Sequence, residues 1–435
     1  MPQRQKSTET LDYDPKDCHV EAKSGYQLLV ATRFYPPDYA PTGQLIEELC
    51  QELCQQGWHV HVFTSQPAYA SDIGEAPRRE RQHTLTIRRT YLTRLWPARI
   101  RGRIVNGLLY SLRFLIHTLC HPRRYRNHIL LVTTEPPYLP VVCLVLKQLL
   151  GLSYVCLVYD LYPHIPVQLG MIGEKSFIAR LWHFFNRLVW SQASKVIAIS
   201  SSMRAQIERQ YPRTADKMAV IPTWPDLNRI RPLPKAQNWF AQEHGLVEHF
   251  TVLYSGNMGR CHDVDTIYAT LLELAAEPIQ FVFIGHGFKY ERLQTKVTEM
   301  GLQNCLFLPL QDSDCVPFSL TACDLSLVSI EKGMEGLVAP SKFYSYCAAG
   351  RPVAAICESD SYLHDILERA AAGRAFENGD HLGLAAFIRT LLANPSEVQR
   401  MGRNARTYVE SHHSVESIAA KFSQTLAETV TAPLG

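Results

Sequence analysis

No segment of this 435-residue chain stays apolar for long enough to cross a bilayer. The strongest candidate, Ile129 to Tyr159, is broken by Glu135, Pro136, Pro137, Pro140 and Lys147, and reads as strand, turn, helix, strand. The first twenty-six residues are polar and charged, so no secretory core is expected there. The twelve cysteines form no CxxC pair and have no His-rich tract beside them, so nothing supports a disulfide framework. Cys143, Cys156, Cys323 and Cys347 lie in apolar segments, and Cys50 and Cys54 stand one helical turn apart, where an unstrained bridge is unusual. Reduced, mostly buried thiols of a cytosolic protein are expected. No DxD lies between apolar strands, since Asp312-Ser-Asp314 falls in a loop that also starts a helix, so no metal is expected. Acidic residues are missing from Arg88 to Asn127, a stretch that holds ten arginines. The overall formal charge of +3 hides this asymmetry.

What is present is alternation. A hydrophobic content of 46% with 20% charged residues is that of a globular chain, and the length allows two or three domains. Residues 1–24 read as a polar lead-in. Tyr26–Ala31 reads as a buried strand, Gln44–Gln56 as an amphipathic helix stopped by Gly57, and His59–Phe63 as the next strand. Strand-like and helix-like segments then alternate to Ile221, with Ser200 placed to cap a helix over Met203–Gln210. Pro222–Pro234 carries four prolines and reads as a linker. A second alternating series begins with the strand Phe250–Tyr254, followed by Ser255-Gly-Asn-Met-Gly-Arg260. These patterns predict an α/β protein with two Rossmann-like, doubly wound domains facing a cleft, over 25–222 and 235–413. Ligands of such sheets sit beyond the carboxyl ends of the strands, which makes the loops there the candidate site.

Two loops have the chemistry of a phosphate cradle. In Gly333–Lys342 two glycines precede a helix starting near Ser341, so backbone N–H groups can approach a diphosphate at the helix N-terminus. Gly336, Leu337 and Ser341 belong to this loop, Lys342 can neutralise a leaving pyrophosphate, and Glu335 can position a sugar. The plainer alternative is that Pro340-Ser341 only starts the helix, with Ser341 as its cap. In Ser255–Asp263, Gly256 and Gly259 free the backbone, while Asn257, Arg260 and His262 can donate to oxyanions; a polar surface turn is the alternative. In the first half, Gly43 opens a helix and can face donor phosphates across the cleft. Asp160 ends an apolar strand, where it can orient an acceptor hydroxyl or accept its proton, and His164 can join it. Alternatively Asp160 caps the turn before Pro163.

Several segments together resemble the retaining glycosyltransferases of family 4, which have the GT-B fold, and within them the colanic-acid, O-antigen and capsule transferases. They are Phe34-Tyr-Pro-Pro-Asp38 with Gly43, Tyr159-Asp-Leu-Tyr-Pro163, Ile230-Arg-Pro-Leu-Pro234, Leu253–Asp263, Gly333–Lys342 and Ala348-Ala-Gly-Arg-Pro-Val353. The resemblance implies a nucleoside-diphosphate sugar, with a UDP-sugar favoured, held mainly by the second domain. It implies a glycan or lipid-linked acceptor held mainly by the first, and a last helix within 414–435 crossing back to the first domain. The family usually has Arg where Asn257 stands, Lys near His262 and His in place of Tyr159. Its paired glutamates align nearer Leu337 and with Ser345. The nucleotide sugar is a substrate and no cofactor is expected.

Arg88–Arg126 interleaves arginines with Leu92, Leu95, Trp96, Ile100, Ile104, Leu108, Leu109, Tyr110, Phe114 and Leu115. This is the pattern of an interfacial helix on anionic lipid, at the inner face of the plasma membrane. A solvated helix face or a nucleic-acid patch would carry a similar pattern; no nucleic acid is expected. The competing functional readings are a non-catalytic nucleotide-sugar-binding subunit of a polysaccharide assembly complex and a nucleotide-sugar epimerase.

Overall fold

Strands rich in Val, Ile and Leu on both faces can be buried only in a sheet with helices on either side, and this is how the chain folds. The computed structural model describes residues 25–38, 40–67, 75–91 and 100–431, without the side chains of 100, 101, 430 and 431. The polar lead-in, together with Leu92, Leu95, Trp96 and the side chain of Ile100 from the basic stretch, lies outside what is described.

The first domain runs β1 (Gln27–Ala31), α1 (Pro41–Gln55), β2 (His59–Ser65), β3 (Arg79–Gln82), β4 (Leu85–Thr90), α2 (Ile100–Cys120), α3 (Pro122–Tyr125) and β5 (His128–Thr133). It continues with α4 (Leu139–Leu150), β6 (Tyr154–Val158), α5 (His164–Gln168), α6 (Phe177–Gln192), β7 (Lys195–Ala198), α7 (Ser201–Gln210) and β8 (Met218–Val220). Its sheet has the order β3-β4-β2-β1-β5-β6-β7-β8, parallel except for the β3–β4 pair. Every residue of β5 and β6 is buried, as the unbroken apolar runs require. Ser200 accepts a hydrogen bond from the Met203 amide at 3.1 Å, the cap expected at α7.

The second domain runs α8 (Trp239–Glu243), β9 (Phe250–Asn257), α9 (Asp265–Glu273), β10 (Ile279–His286), α10 (Phe288–Glu299), β11 (Cys305–Leu308), α11 (Val316–Thr321) and β12 (Leu325–Ser329). Then follow α12 (Lys342–Ala348), β13 (Val353–Ile356), α13 (Tyr362–Ala370), β14 (Gly373–Phe376), α14 (His381–Ala393), α15 (Pro395–His412) and α16 (Val415–Thr431). Its sheet is parallel, in the order β11-β10-β9-β12-β13-β14.

The chain passes between the domains twice. The Pro-rich segment after β8 is the first crossing; α16, packed on α1 and β5, is the second. Trp58 donates to Ser423 Oγ at 2.9 Å, and Lys195 pairs with Glu428 at 2.7 Å. The crossings touch, since His413 Nδ1 lies 3.2 Å from the Thr223 carbonyl. Arg406 donates to the carbonyls of Leu227 and Ile230, binding the later part of the linker to the second domain.

Candidate active site

Strand order reverses between β1 and β5 in one sheet and between β9 and β12 in the other. The loops leaving β5 and β6 therefore face those leaving β9 and β12. The domains meet there: the Leu161 amide donates to the Leu337 carbonyl at 3.1 Å, and the Tyr362 amide to Ser202 Oγ at 3.0 Å.

On the second domain's side the floor is the end of β9. Gly256 has a φ of +119°, a conformation open to glycine, and a Cβ there would stand 2.7 Å from Lys342 Cε. The Lys342 ammonium is thus laid along this backbone, 5.6 Å from the centre of the Tyr254 ring. Among the described residues no carboxylate pairs with it, and burial pushes it down from 10.5 to about 8. A buried cation without a counter-charge is costly, and the group that would relieve it is an anion entering from the cleft. Tyr346 steadies the same strand end, donating to the Ser255 carbonyl at 3.0 Å and accepting from its amide at 2.8 Å.

The helix start beside Lys342 is open. Ser341 is exposed and its hydroxyl caps nothing, so the plain capping alternative does not hold. The N–H groups of Ala339, Ser341 and Lys342 make no hydrogen bond among the described residues. Gly336 and Leu337 are different, and here the expectation is corrected. The Leu337 amide donates to the Met334 carbonyl at 3.1 Å, and a Cβ on Gly336 would stand 2.7 Å from the Ser202 carbonyl. These two residues hold the domains together; they do not offer amides to a phosphate.

Asn257 and Arg260 are exposed at the rim beside Gly259, with the Arg260 guanidinium stacked 3.8 Å from the centre of the Phe288 ring. Neither side chain makes an ion pair or hydrogen bond among the described residues, so both can turn to a ligand. His262 needs a correction. Its Nδ1 donates to the Ser329 carbonyl at 2.9 Å, leaving Nε2 of the neutral ring as an acceptor. Donation to an oxyanion would need a second proton, and burial first, then the Lys342 charge, hold the ring down at about 4.

On the first domain's side, Asp160 opens into the cleft at the end of β6, and crowding by protein raises its carboxyl to about 6. Glu135, which follows β5, reads in the sequence as a mere interruption of an apolar run. Burial and the charge of Asp160 raise it to about 7, against the pull of Arg33 and Arg103. Tyr162, and Cys261 from the opposite domain, are both raised chiefly by burial and in part by the Asp160 charge. No capping bond from Asp160 is present among the described residues.

His164 does not join Asp160. Its Nε2 meets Gln210 Oε1, and its ring packs 5.1 Å from that of His183, because α5 turns it toward α6 and α7. There it lines a cavity of about 860 Å³ between the domains, shared with Gln206, Glu335, Glu358 and Asp360. Burial raises the Glu335 carboxyl, against the pull of the Ser361 and Ser202 hydroxyls and the Gly336 amide beside it. The three acid–base candidates therefore fall in two places: Asp160 in the cleft, and His164 with Glu335 in the cavity. Gly43 is also corrected. Its amide is taken by the Ala40 carbonyl at 2.9 Å, and a Cβ would stand 3.1 Å from the Phe34 backbone. It lets α1 approach the β1 loop and offers nothing to a phosphate. No group of three or more metal-ligating side chains occurs among the described residues.

This geometry can be set beside known proteins. Residues 42–224 match the glycosyl transferase 4-like domain, and residues 237–408 match the glycosyl transferases group 1 domain. The chain belongs to the family 4-like glycosyltransferases. This glycosyltransferase is 26% identical over 315 residues to the probable glycosyltransferase WbjE of Pseudomonas aeruginosa, covering 71% of this chain and 77% of that one. It is 24% identical over 408 residues to WcaI of Escherichia coli K12, a colanic acid biosynthesis glycosyl transferase by its name, covering 91% and 98%. Among solved structures, Anabaena HepE in complex with UDP and glucose superposes with a TM-score of 0.65 at 15% identity, covering 93% of this glycosyltransferase and 100% of HepE. That likeness is one of fold, two Rossmann-like domains facing a cleft.

Proposed function

We propose that this glycosyltransferase moves a sugar from a nucleoside-diphosphate sugar, a UDP-sugar in preference, to a glycan or lipid-linked acceptor in cell-surface polysaccharide synthesis. The anomeric configuration is retained and no cofactor is used. The single observation that carries the donor assignment is the unpaired Lys342 ammonium laid on Gly256. HepE was solved with UDP and WcaI is named for colanic acid synthesis, which supports the choice of donor base and product class.

In this scheme Lys342, the amides of Ala339 and Ser341, and the swinging Arg260 and Asn257 take up the charge that develops on the departing diphosphate. Once the diphosphate is seated, Lys342 regains its full charge, since an adjacent anion raises its affinity for a proton. Asp160 orients the acceptor hydroxyl on the opposite wall. In a retaining transfer the departing phosphate oxygen can take the acceptor's proton, so Asp160 acts by placement and field. The Glu335 carboxyl, which lines the adjoining cavity between the domains, is suited to receive sugar hydroxyls.

The acceptor reading includes a membrane surface at the cytoplasmic face. Ile104, Leu108, Leu112 and Ile116 are about half exposed and recur every fourth residue on α2. Phe177, Ile178, Leu181, Phe184 and Leu188 are exposed on α6, in the same helix layer, with α4 between. α2, α4 and α6 contain no acidic residue, which suits anionic lipid. No described helix is long and apolar enough to cross a membrane. The test is incubation of the purified chain with a panel of nucleotide sugars and mass-spectrometric detection of binding and donor hydrolysis. Failure to bind any of them would overturn the donor assignment.

A further inference from the structure

The edge of the first domain's sheet contains a charge arrangement that the transfer reaction does not use. In the antiparallel β3–β4 pair Arg79 lies directly opposite Arg88, and Arg81 opposite Thr86. Side chains of opposed residues project from the same face, so Arg79, Arg81 and Arg88 all stand on one side of the sheet. Like charges placed opposite one another weaken a sheet. Arg124 of α3 arrives over the same face, its Nη2 lying 3.4 Å from His61 Nδ1. These residues line a cavity of about 210 Å³ whose floor is Leu29, Val62 and Phe63.

No carboxylate answers this charge. Glu80 also lines the cavity, but its side chain alternates to the opposite face of the sheet, where Arg89 holds its carboxylate. Arg79, Arg81, Arg88 and Arg124 have no ion pair among the described residues. With Arg124 donating to Nδ1, the His61 ring carries its proton on Nε2 and has a further N–H to give. Burial, then Arg124, keep that ring neutral. The cavity lies on one face of the sheet over β1, β2, β4 and the edge strand β3, whereas the cleft lies beyond the carboxyl ends of the strands.

We propose that Arg79, Arg81, Arg88 and Arg124, with His61, form a binding site for a phosphate-bearing anion, separate from the donor cleft. Guanidinium forks match phosphate oxygens in pairs, and four converging cations without a carboxylate leave the site in need of an anion. The ligand is a phosphate group, supplied either by a lipid headgroup beside the apolar stripe of α2 or by a soluble phosphate compound. The proposal does not depend on the donor assignment, because none of these arginines touches the cleft.

The test maps arginine modification by phenylglyoxal, peptide by peptide, on the full chain. The competitors are inorganic pyrophosphate, vesicles of phosphatidylcholine, and vesicles of phosphatidylcholine with phosphatidylglycerol. Protection of Arg88 and Arg124 by pyrophosphate identifies a site open to soluble phosphate; protection by the phosphatidylglycerol vesicles alone identifies a headgroup site. Either result supports the proposal. In parallel, Arg79→Gln/Arg124→Gln, both at exposed positions, should weaken binding of the protecting ligand about tenfold. The charge-matched Arg374→Gln/Arg403→Gln, on the second domain's surface, should leave it unchanged. No protection by any competitor, or equal loss in both double variants, would overturn the site.

Discussion

Replacing Lys342 with methionine should move stability and binding in opposite directions. The lysine's fall from 10.5 to about 8 corresponds to about 3 kcal/mol of disfavoured charge at neutral pH. Methionine keeps the side-chain length against Gly256 and Tyr254 without the charge, so the ligand-free Lys342→Met variant should be more stable by roughly 1–3 kcal/mol. The sign with pH follows. The folded lysine gives up its proton near pH 8 and the unfolded one near 10.5, so below pH 8 the wild type carries the whole penalty. As pH rises from 8 toward 10.5 the unfolded chain holds more protons than the folded one, and the wild type gains on the variant. Nucleotide binding reverses the order. Losing a charge-assisted contact to a diphosphate costs about 1.5–3 kcal/mol, roughly a ten- to hundredfold rise in Kd. Denaturant titrations at pH 7 and pH 9.5 measure the first effect, and calorimetric titration with UDP measures the second. Wild-type binding near pH 8 should also take up protons from the buffer, and the variant's should not. A variant that is less stable without ligand and binds UDP as tightly as wild type would refute the reasoning.

Asp160→Asn should cut transfer by about two orders of magnitude while leaving UDP affinity within twofold, as expected of a group that faces only the acceptor. With Asp160 at about 6, wild-type kcat/KM should fall as pH drops from 7.5 toward 5.5, and a profile flat over that range would count against its ionised role. Gly336→Ala places a methyl against the Ser202 carbonyl at a φ of +72°, so it should cost about 1–3 kcal/mol of stability and weaken domain closure, read as lower kcat/KM by a coupled assay. Phe177→Ser/Phe184→Ser should reduce sedimentation with anionic vesicles several-fold without changing donor hydrolysis in solution; unchanged sedimentation would remove α6 from the membrane face.

Local chemistry made much of the fold legible. The strand His59–Phe63 and the helix before it, stopped by Gly57, were readable within a few residues, because a periodic apolar pattern meets a glycine stop. β3 was not readable: Arg-Glu-Arg-Gln has no strand signal, and its pairing with β4 comes from the antiparallel return of the chain. In the site, Lys342 and Ser341 lie at the start of α12, and Asn257 and Arg260 at the rim where β9 ends. Gly43, Gly336 and Leu337 read in the sequence as phosphate contacts and serve packing, because a glycine needed for close packing and one needed for ligand access look alike in sequence. His164 was misplaced because a four-residue separation from Asp160 says nothing of the turn between them. Glu135 was missed because its partners, Asp160 and Arg33, are distant along the chain, and no local spacing signals them.

The two crossings between the domains run side by side, and Arg406 has already claimed the linker from Leu227 onward for the second domain. What is left to flex is a short double strap near Thr223 and the start of α16. A paired strap bends readily about one line and resists shear and twist. Opening should therefore be a swing like that of a book about its spine, with Lys342 and Asp160 on facing pages and the release of spent nucleotide directed away from the binding.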